Sequence, residues 1–429
     1  MRDHRIVWAV VAALLAVGGA GAAGAQSAPA KSLHDTLDHK FILGFQGWFG
    51  CPKVAGGDNW GHWKGKGGFA VDMFPDVSDF PADELCPTGL KGADGAEVKL
   101  FSDQNPATVD HQFGWMRHYG LDGVALQRFA NELSDPSRHA LVDKVLSNVR
   151  AAAERHEVAF FVMYDLSGLS DDRLDIVADD WAELVKRDVP NSAPYQHDGG
   201  KPVLGLWGLG FAGRPISAPE AQKLVEKLRA ESAGVGGLTI VAGAPAGWRT
   251  GDYDASDNPA WKTFWPNVDI ISPWTVGRYK DDSGADQYRQ TRIAPDLAEA
   301  ARIHVRYMPV VYPGTSHHNL DLAMTGRDDR PLNYIPRECG RFYWRQLANA
   351  ISAGATMVYG AMFDEVNEGT ALFKVAEKDI HGDGIPPLVA LDADGCALSS
   401  DFYLRMTGLA TEKIHAGEAI GQTIPPSLR

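Results

Sequence analysis

The feature of this chain that most limits its fold is an alternation of short apolar runs with longer amphipathic stretches. From about residue 41 onward, each run of apolar and β-branched residues is followed by a loop and then by a stretch with helical periodicity. This alternation is typical of parallel strands whose sheet is covered by helices. We predict eight strands, over residues 41–46, 123–127, 159–164, 203–207, 238–242, 268–272, 306–311 and 356–361.

Eight such units predict an α/β fold in the form of a closed (β/α)8 TIM barrel. An open doubly wound sheet is the alternative, and it usually carries a glycine-rich phosphate-binding turn after its first strand. Here that turn, residues 44–50, reads Gly-Phe-Gln-Gly-Trp-Phe-Gly, with aromatic residues where a helix would begin. The predicted helices cover residues 137–155, 171–186, 218–230, 286–303 and 341–352.

The first 25 residues have the pattern of a cleavable secretory signal peptide. Arg2 and Arg5 precede an apolar stretch, and small residues follow it up to Ala25. The apolar stretch is too short to span a membrane and remain there. We therefore predict cleavage after Ala25, and a mature protein that is secreted or periplasmic and free of the membrane. After a polar leader over residues 26–40, residues 41–429 are predicted to form one catalytic barrel domain with a short C-terminal extension from about residue 375.

Charge and composition distinguish between classes of partner. The chain has 55 acidic and 41 basic residues, a formal net charge of −14 at pH 7, and no basic run. Nucleic acid is therefore an unfavourable partner, because its phosphates are bound mainly by Lys and Arg. The 12 tryptophans are a surplus, and aromatic rings on loops are what a sugar-binding cleft requires. A polysaccharide or oligosaccharide is the predicted partner, and the oligomeric state is left open.

The predicted strand ends carry many aromatic, amide, basic and acidic side chains. The longest loops, over residues 47–105 and 312–335, also follow strand ends, on the face where (β/α)8 barrels build their active sites. Rings stack on the C–H faces of sugars while charged groups bond their hydroxyls; packing of the barrel rim alone is the alternative. The predicted substrate-binding residues are Trp48, Arg128, Tyr164, Asp165, Trp207, Trp274, Arg278, Tyr279, Tyr312, His317, Asn319 and Asp364.

Three carboxylates follow the eighth predicted strand within five residues, in the segment Asp364-Glu365-Val366-Asn367-Glu368. Glycoside cleavage commonly uses two carboxyl groups, one protonated and one ionised. Glu365 and Glu368 are therefore predicted to be the catalytic pair. The alternative is an acidic helix N-terminus, where negative charge interacts favourably with the helix dipole.

The chain resembles bacterial proteins related to glycoside hydrolase families 71 and 99, the clan of endo-α-mannosidases and fungal α-1,3-glucanases. The resemblance covers about residues 44–370 and is carried by segments 47–49, 127–129, 309–314 and 364–370. In the endo-α-mannosidases the last segment reads Asn-Glu-Trp-His-Glu-Gly-Thr, and its two glutamates, matched here by Glu365 and Glu368, are catalytic. Closer relatives are loosely labelled xylosidase or arabinosidase.

The resemblance implies a role for each glutamate. Glu365 would act as the base on the substrate's 2-hydroxyl, whose oxygen attacks the anomeric carbon. Glu368 would protonate the leaving group and then activate water, with net retention through a 1,2-anhydro sugar. Asp364 stands where that family has Asn and Val366 where it has Trp, so the sugar specificity is not transferred. A non-catalytic carbohydrate-binding protein on the same barrel is the alternative function.

No metal or other cofactor is predicted. His317 and His318 are adjacent, so they leave a strand in opposite directions, and no HExxH motif accompanies them. The segment from Asp392 begins like a calcium loop but lacks its glycine and its final glutamate, which indicates a turn.

The four cysteines, Cys51, Cys86, Cys339 and Cys396, fit an oxidising compartment. Four cysteines allow three pairings. We predict a Cys51–Cys86 disulfide that closes the first long loop. The alternatives are a free Cys51, with Cys86 bonded to Cys339 or unpaired.

Overall fold

The core of this computed structural model, which describes residues 34–52 and 60–428, is a parallel sheet that closes on itself. Its strands are mostly continuous buried runs, as parallel strands covered by helices must be. The strands are β1 (Phe41–Phe45), β2 (Gly123–Phe129), β3 (Ala159–Asp165), β4 (Lys201–Trp207), β5 (Thr239–Ala244), β6 (Ile270–Pro273), β7 (Arg306–Tyr307 with Val310–Val311) and β8 (Val358–Gly360).

Closure of the barrel depends on the divided strand β7. Its first piece, Arg306–Tyr307, pairs with β6, and its second piece, Val310–Val311, pairs with β8. Between the pieces Pro309 lacks an N–H and cannot donate to a strand ladder. Its carbonyl nevertheless accepts from the Tyr359 N–H at 2.9 Å. Since β8 also pairs with β1, the eight strands form a closed ring, which confirms the predicted (β/α)8 barrel.

The helices begin where the sequence supplies caps. Asn105 and Asp135 cap the first two helices, and each is followed by a proline, which suits the first helical position. The described residues contain ten α-helices: α1 (Pro106–His118), α2 (Pro136–His156), α3 (Asp175–Lys186), α4 (Ala218–Glu231), α5 (Ala260–Phe264), α6 (Asp282–Tyr288), α7 (Ala294–Arg302), α8 (His318–Thr325), α9 (Arg341–Ser352) and α10 (Phe402–His415).

The segment predicted as a C-terminal extension supplies the helix that follows β8. Helix α10 packs on α9, where the Tyr343 hydroxyl lies 3.1 Å from the Thr407 hydroxyl. It also meets the end of α1, because a Cβ on Gly408 would lie only 2.1 Å from the Tyr119 carbonyl oxygen. The extension is thus part of the barrel's outer layer, and its helix was not predicted from the sequence.

The described part of the predicted polar leader is packed on the barrel. The carbonyls of His34 and Asp35 accept from the backbone N–H groups of His197 and Gly199, and Leu37 is fully buried. The predicted signal peptide, residues 1–25, lies outside the described residues. Within residues 34–52 and 60–428, no helix has the length and apolar character needed to cross a membrane.

Two disulfides fix the long segments. Cys51 is bonded to Cys86, as predicted, and Cys339 is bonded to Cys396. The first bond closes the β1–α1 loop, which carries two hairpins, formed by Lys64–Gly65 with Gly68–Phe69 and by Cys86–Lys91 with Glu97–Leu100.

Candidate active site

A cavity of about 240 Å³ opens among the C-terminal ends of the barrel strands. Both predicted catalytic glutamates line it, together with side chains in or just after strands β1, β2, β3, β4, β6 and β8. Those that bear on the chemistry are Gln46, Trp48, Gln127, Asp165, Trp207, Trp274, Glu365 and Glu368.

The acidic segment after β8 is held by its own turn and by β1. The Phe363 N–H donates to the Gly44 carbonyl at 2.7 Å, and the Thr370 N–H donates to the Glu365 carbonyl at 3.1 Å. Gly369 has φ +68°, a conformation that favours glycine, and an added Cβ would approach the Ser316 nitrogen to 3.1 Å. The glycine therefore permits the turn that brings both glutamates to the cavity.

Glu365 is almost completely buried, with both carboxyl oxygens occupied. Oε1 accepts from the Gln46 side-chain amide at 2.6 Å, and Oε2 accepts from the Thr370 hydroxyl at 2.8 Å. Burial raises the pKa of Glu365 well above its ordinary value, and the nearby charge of Glu368 raises it further. The two bonds oppose this rise without cancelling it.

Glu368 is less buried, with 28% of its side chain exposed, and it contacts a histidine. Its Oε1 lies 3.2 Å from the Nε2 of His317. Because the charge of Glu368 adds to the burial that raises the pKa of Glu365, ionising both carboxyl groups at once is unfavourable. An arrangement of one acid and one carboxylate is what glycoside cleavage requires.

Asp364 has a different role from Glu365 and Glu368. It is fully buried, and its carboxylate accepts from the backbone N–H groups of Gln46 and Gly47, both at 2.8 Å. Burial raises its pKa to about 6, against the lowering effect of these two bonds. Asp364 thus fixes the turn after β1 and does not itself line the cavity.

The aromatic wall of the cavity contains three tryptophans. Trp207 and Trp274 meet edge to face, with ring centroids 5.5 Å apart. Trp48 is stacked on His62 at 4.0 Å and on Phe129 at 5.1 Å. Among the described residues, the indole N–H groups of Trp48 and Trp207 have no hydrogen-bond partner. Trp274 therefore offers apolar surface, whereas the Trp48 ring is packed on protein, as is the Trp207 ring, which lies 5.4 Å from Phe211 and 4.7 Å from the Arg214 guanidinium.

Asp165 is the third carboxylate at the cavity. Its Oδ1 accepts from the Ser167 N–H at 2.7 Å, and burial raises its pKa. Asp165 is a predicted substrate-binding residue, and its position at the cavity wall suits that role.

Arg128 and Tyr164, two predicted substrate-binding residues, do not line this cavity. Both are buried and bond to Asp180 of α3, Arg128 through Nε at 2.6 Å and Tyr164 through its hydroxyl at 2.5 Å. Side chains alternate between the two faces of a strand, so Gln127 and Phe129 line the cavity in place of Arg128. That alternation was the signal in the sequence that could have identified them.

Four other predicted substrate-binding residues also bond to protein groups away from the cavity: Arg278, Tyr279, Tyr312 and Asn319. Arg278 bonds Asp254 at 3.0 Å in a separate cleft, and the Tyr279 hydroxyl donates to Gln346 at 2.9 Å. The Tyr312 hydroxyl donates to the Tyr279 carbonyl.

The Asn319 amide donates to the carbonyls of Val71 and Pro387, at 2.9 and 2.8 Å. Asn319 therefore connects the chain segments that contain Val71 and Pro387. His317 does not line the cavity but contacts it through Glu368. Six lining residues were not among the predicted site residues: Gln46, Gln127, Phe129, Ser167, Tyr359 and Met362.

The adjacent histidines have separate partners. His317 contacts Glu368, whereas the Nδ1 of His318 lies 2.7 Å from the Arg330 carbonyl oxygen. Across residues 34–52 and 60–428, no cluster of three or more His, Cys, Asp or Glu side chains could hold a metal ion.

Comparison with known proteins identifies the fold class. No protein-family model and no curated protein matches the sequence. The GH99 endo-α-mannosidase of Bacteroides thetaiotaomicron, solved with bis-tris propane, is 16% identical, with a TM-score of 0.61 over 89% of this chain and 98% of that chain. A second structure of a GH99 endo-α-mannosidase from that organism is 15% identical, with a TM-score of 0.60 over 89% and 99% of the two chains.

A third solved structure, described as a glycoside hydrolase-like protein, is 12% identical, with a TM-score of 0.54 over 90% of this chain and 97% of that chain. The chain thus has a TIM-barrel fold similar to that of GH99 glycoside hydrolases over nearly the whole length of these neighbours. At these identities the similarity concerns the fold, and the activity is argued from the site.

Proposed function

We propose that the protein is a glycoside hydrolase that cleaves a polysaccharide or oligosaccharide, with Glu365 and Glu368 as its catalytic pair. The observation that carries this proposal is the pair itself: a buried and a half-buried carboxyl group, electrostatically linked, that line one cavity together with tryptophans. The fold similarity to GH99 endo-α-mannosidases supports it.

The proposed mechanism uses the substrate's own 2-hydroxyl. The Glu365 carboxylate takes the hydroxyl proton while the 2-oxygen bonds to the anomeric carbon. The bond from that carbon to the leaving oxygen breaks, and the leaving oxygen takes the proton of Glu368. Glu368 then removes a proton from water, whose oxygen opens the 1,2-anhydro ring, and Glu365 returns its proton to the 2-oxygen. Two displacements at one carbon give net retention.

The mechanism needs Glu365 ionised, although burial favours its protonated form in the free protein. A bound 2-hydroxyl would donate a hydrogen bond to Glu365 and thereby favour the carboxylate. The proton of Glu365 would then pass to Glu368, the more exposed partner. We propose that substrate binding itself sets the reactive protonation state.

Sugar recognition is proposed to depend on Asp165, Trp207 and Trp274, which line the cavity beside the glutamates. The two departures from the family motif, Asp364 and Val366, are buried and do not line it. An α-linked or pentose-containing polysaccharide is the proposed substrate class. The signal pattern of residues 1–25 supports export, so that the protein would meet its substrate outside the cytoplasm.

A glycan panel tests the proposed function. The mature protein is incubated with α-mannans, α-1,3-glucan, xylan and arabinan, and new reducing ends are measured beside Glu365→Gln as the inactive control. We expect reducing ends with the wild type on at least one glycan, and a first product of retained anomeric configuration by NMR. A thermal shift with a glycan but no reducing ends from any of them would instead establish a carbohydrate-binding protein.

A further inference from the structure

Outside the cavity, Glu368 is linked through His317 to a second carboxylate, that of Asp321. The His317 ring lies between the two: its Nε2 is 3.2 Å from Oε1 of Glu368, and its Nδ1 is 3.0 Å from Oδ1 of Asp321. Both ring nitrogens can donate at once only when the imidazole is protonated. The geometry is therefore that of an imidazolium bridging two carboxylates.

Hydrogen bonds to the backbone carbonyl of Glu368 fix this contact. The Glu368 carbonyl accepts from the Ser316 N–H at 3.0 Å and from the Thr315 hydroxyl at 2.7 Å. The residue that follows, His317, has φ +72° and precedes helix α8. Asp321 is one helical turn further on, which places its carboxylate beside the ring. The loop after β7 thus delivers His317 to Glu368 in a set orientation.

Several charged groups surround His317. Burial by itself would lower the pKa of its ring, but the hydrogen bond and charge of Glu368 outweigh burial, and the pKa is raised above its ordinary value. Asp321 adds to the rise, whereas Arg330, which donates to Asp321 at 3.2 Å, opposes it. The Glu368 side also faces Glu365 and Asp165.

We propose that His317 is a positioning residue for Glu368, which it holds in place as an imidazolium anchored by Asp321. The inference rests on the proposed function, because it concerns the carboxyl group assigned there as proton donor. His317 does not line the cavity and contacts the chemistry only through Glu368.

This arrangement has a consequence for the catalytic cycle. The imidazolium holds the Glu368 carboxyl group at the cavity while it donates its proton to the leaving oxygen in the first step. When Glu368 activates water in the second step, the same cation orients the carboxylate oxygen that is free to accept the proton. Loss of the His317 proton at high pH should therefore lower activity.

The test compares the pH profiles of kcat/KM for the wild type, His317→Gln and Asp321→Asn. His317→Gln keeps a neutral donor but cannot titrate, so its kcat should fall by up to about 100-fold, in the range expected for a misplaced catalytic group. KM should change little, and the fall in kcat/KM on the basic side should move to higher pH. Asp321→Asn lowers the pKa of His317, so this basic limb should move to lower pH.

His318→Gln is the matched control, since it changes the neighbouring ring, which contacts the Arg330 carbonyl and Asp328 rather than a catalytic carboxyl. Its pH profile should match the wild type. Basic limbs that stay at the wild-type position in both His317→Gln and Asp321→Asn would overturn the proposal.

An NMR titration of the histidine rings tests the contact without any activity. The His317 signals are identified by their absence in His317→Gln, and their pKa should lie above 6.5 and fall in Glu368→Gln. A His317 pKa that is at or below 6.5 and does not change in Glu368→Gln would overturn the inference. If the titration behaves as expected but no glycan is cleaved, the proposed function fails and the bridging imidazolium stands.

Discussion

At the scale of single residues, Glu365 is placed where function and stability conflict. Its carboxyl group is buried, and its pKa is raised by that burial and by Glu368. A carboxyl whose pKa is higher in the folded than in the unfolded state contributes no penalty below its unfolded pKa, near 4.3 in model peptides. Above that pH the penalty grows until the folded pKa is passed.

We therefore predict that Glu365→Gln abolishes activity but raises the melting temperature. Gln resembles the protonated carboxyl and carries no charge to desolvate. The gain in stability over the wild type should be small at about pH 4, near the unfolded pKa, and larger at pH 8. Thermal unfolding at both pH values checks this, and a gain that is larger at the acidic pH would contradict the assigned pKa shift.

The tryptophans of the cavity should separate into two kinds. Trp274→Ala should weaken glycan binding with little change in melting temperature, because its ring is half-buried on the cavity wall. Trp48→Ala should lower both the affinity for the glycan and the melting temperature, because its ring also packs on His62 and Phe129. Calorimetric titration with the cleaved glycan and thermal unfolding measure these effects. Trp274→Phe is the control that keeps an aromatic face, and equal loss of affinity in it would argue against stacking.

Arg128 should contribute to the stability of the fold rather than to substrate binding. It is 2% exposed and paired with Asp180, so Arg128→Ala leaves the buried Asp180 carboxylate without its arginine and should cost about 3–5 kcal/mol in denaturant unfolding. The matched surface pair is Arg302 with Glu299, where the arginine is 70% exposed. Arg302→Ala should cost much less, because exposed ion pairs are screened by water and contribute little to stability. Similar costs for the two variants would contradict the assigned burial.

At the scale of elements, the β1–α1 loop connects the cavity wall to two other loops. Cys51–Cys86 closes it, and His62 within it stacks on Trp48. Buried Asp72 accepts from the backbone N–H groups of His318 and Asn319, both at 2.6 Å, so the loop also caps helix α8. Loosening this loop should therefore disturb the site before it disturbs the barrel.

The two disulfides allow a matched comparison. They close segments with sequence separations of 35 and 57, for which chain entropy predicts a loss of roughly 4 kcal/mol each on removal. Cys51→Ser/Cys86→Ser should lower stability and raise KM, because Trp48 loses its support. Cys339→Ser/Cys396→Ser should lower stability with little change in KM, since the catalytic segment between these cysteines is held separately by its bonds to Gly44 and Gln46. An unchanged KM in the first variant would show that the loop does not shape the site.

Elements that depend on local pattern were predicted well. Helix α9 has the predicted bounds and α2 differs by one residue at each end, because their apolar faces and the Asp135 cap are local signals. The predicted helix over residues 286–303 is instead α6 and α7 joined through a π-helical turn, Arg289–Ile293. The break in β7 was also missed, since it depends on which neighbours each half meets.

The site was predicted in part for a related reason. Glu365, Glu368 and Asp165 follow strand ends, and strand ends of a barrel share one face. Arg128 and Asn319 also lie at or near strand ends, but their partners, Asp180 and Val71, are distant in sequence and could not be read from it. The contact of His317 with Glu368 likewise joins two loops that only the closed barrel brings together.

At the scale of the whole molecule, barrel closure is what assembles the catalytic pair with its surroundings. β8 lies between β1 and the second half of β7. The acidic segment after β8 is therefore bonded on one side to Gln46 and on the other to Thr315 and Ser316. Both glutamates owe their position to this closure, which links the fold directly to the proposed chemistry.

The measurement that tests this account most directly is the leaving-group dependence of Glu368→Gln. On the natural glycan this variant should lose at least about 10²-fold in kcat, the usual contribution of a general acid. On an aryl glycoside of the same sugar with an activated leaving group, which needs little protonation, much of the first-step rate should return. Full activity of Glu368→Gln on the natural glycan would contradict the assignment of the pair and, with it, the proposed mechanism.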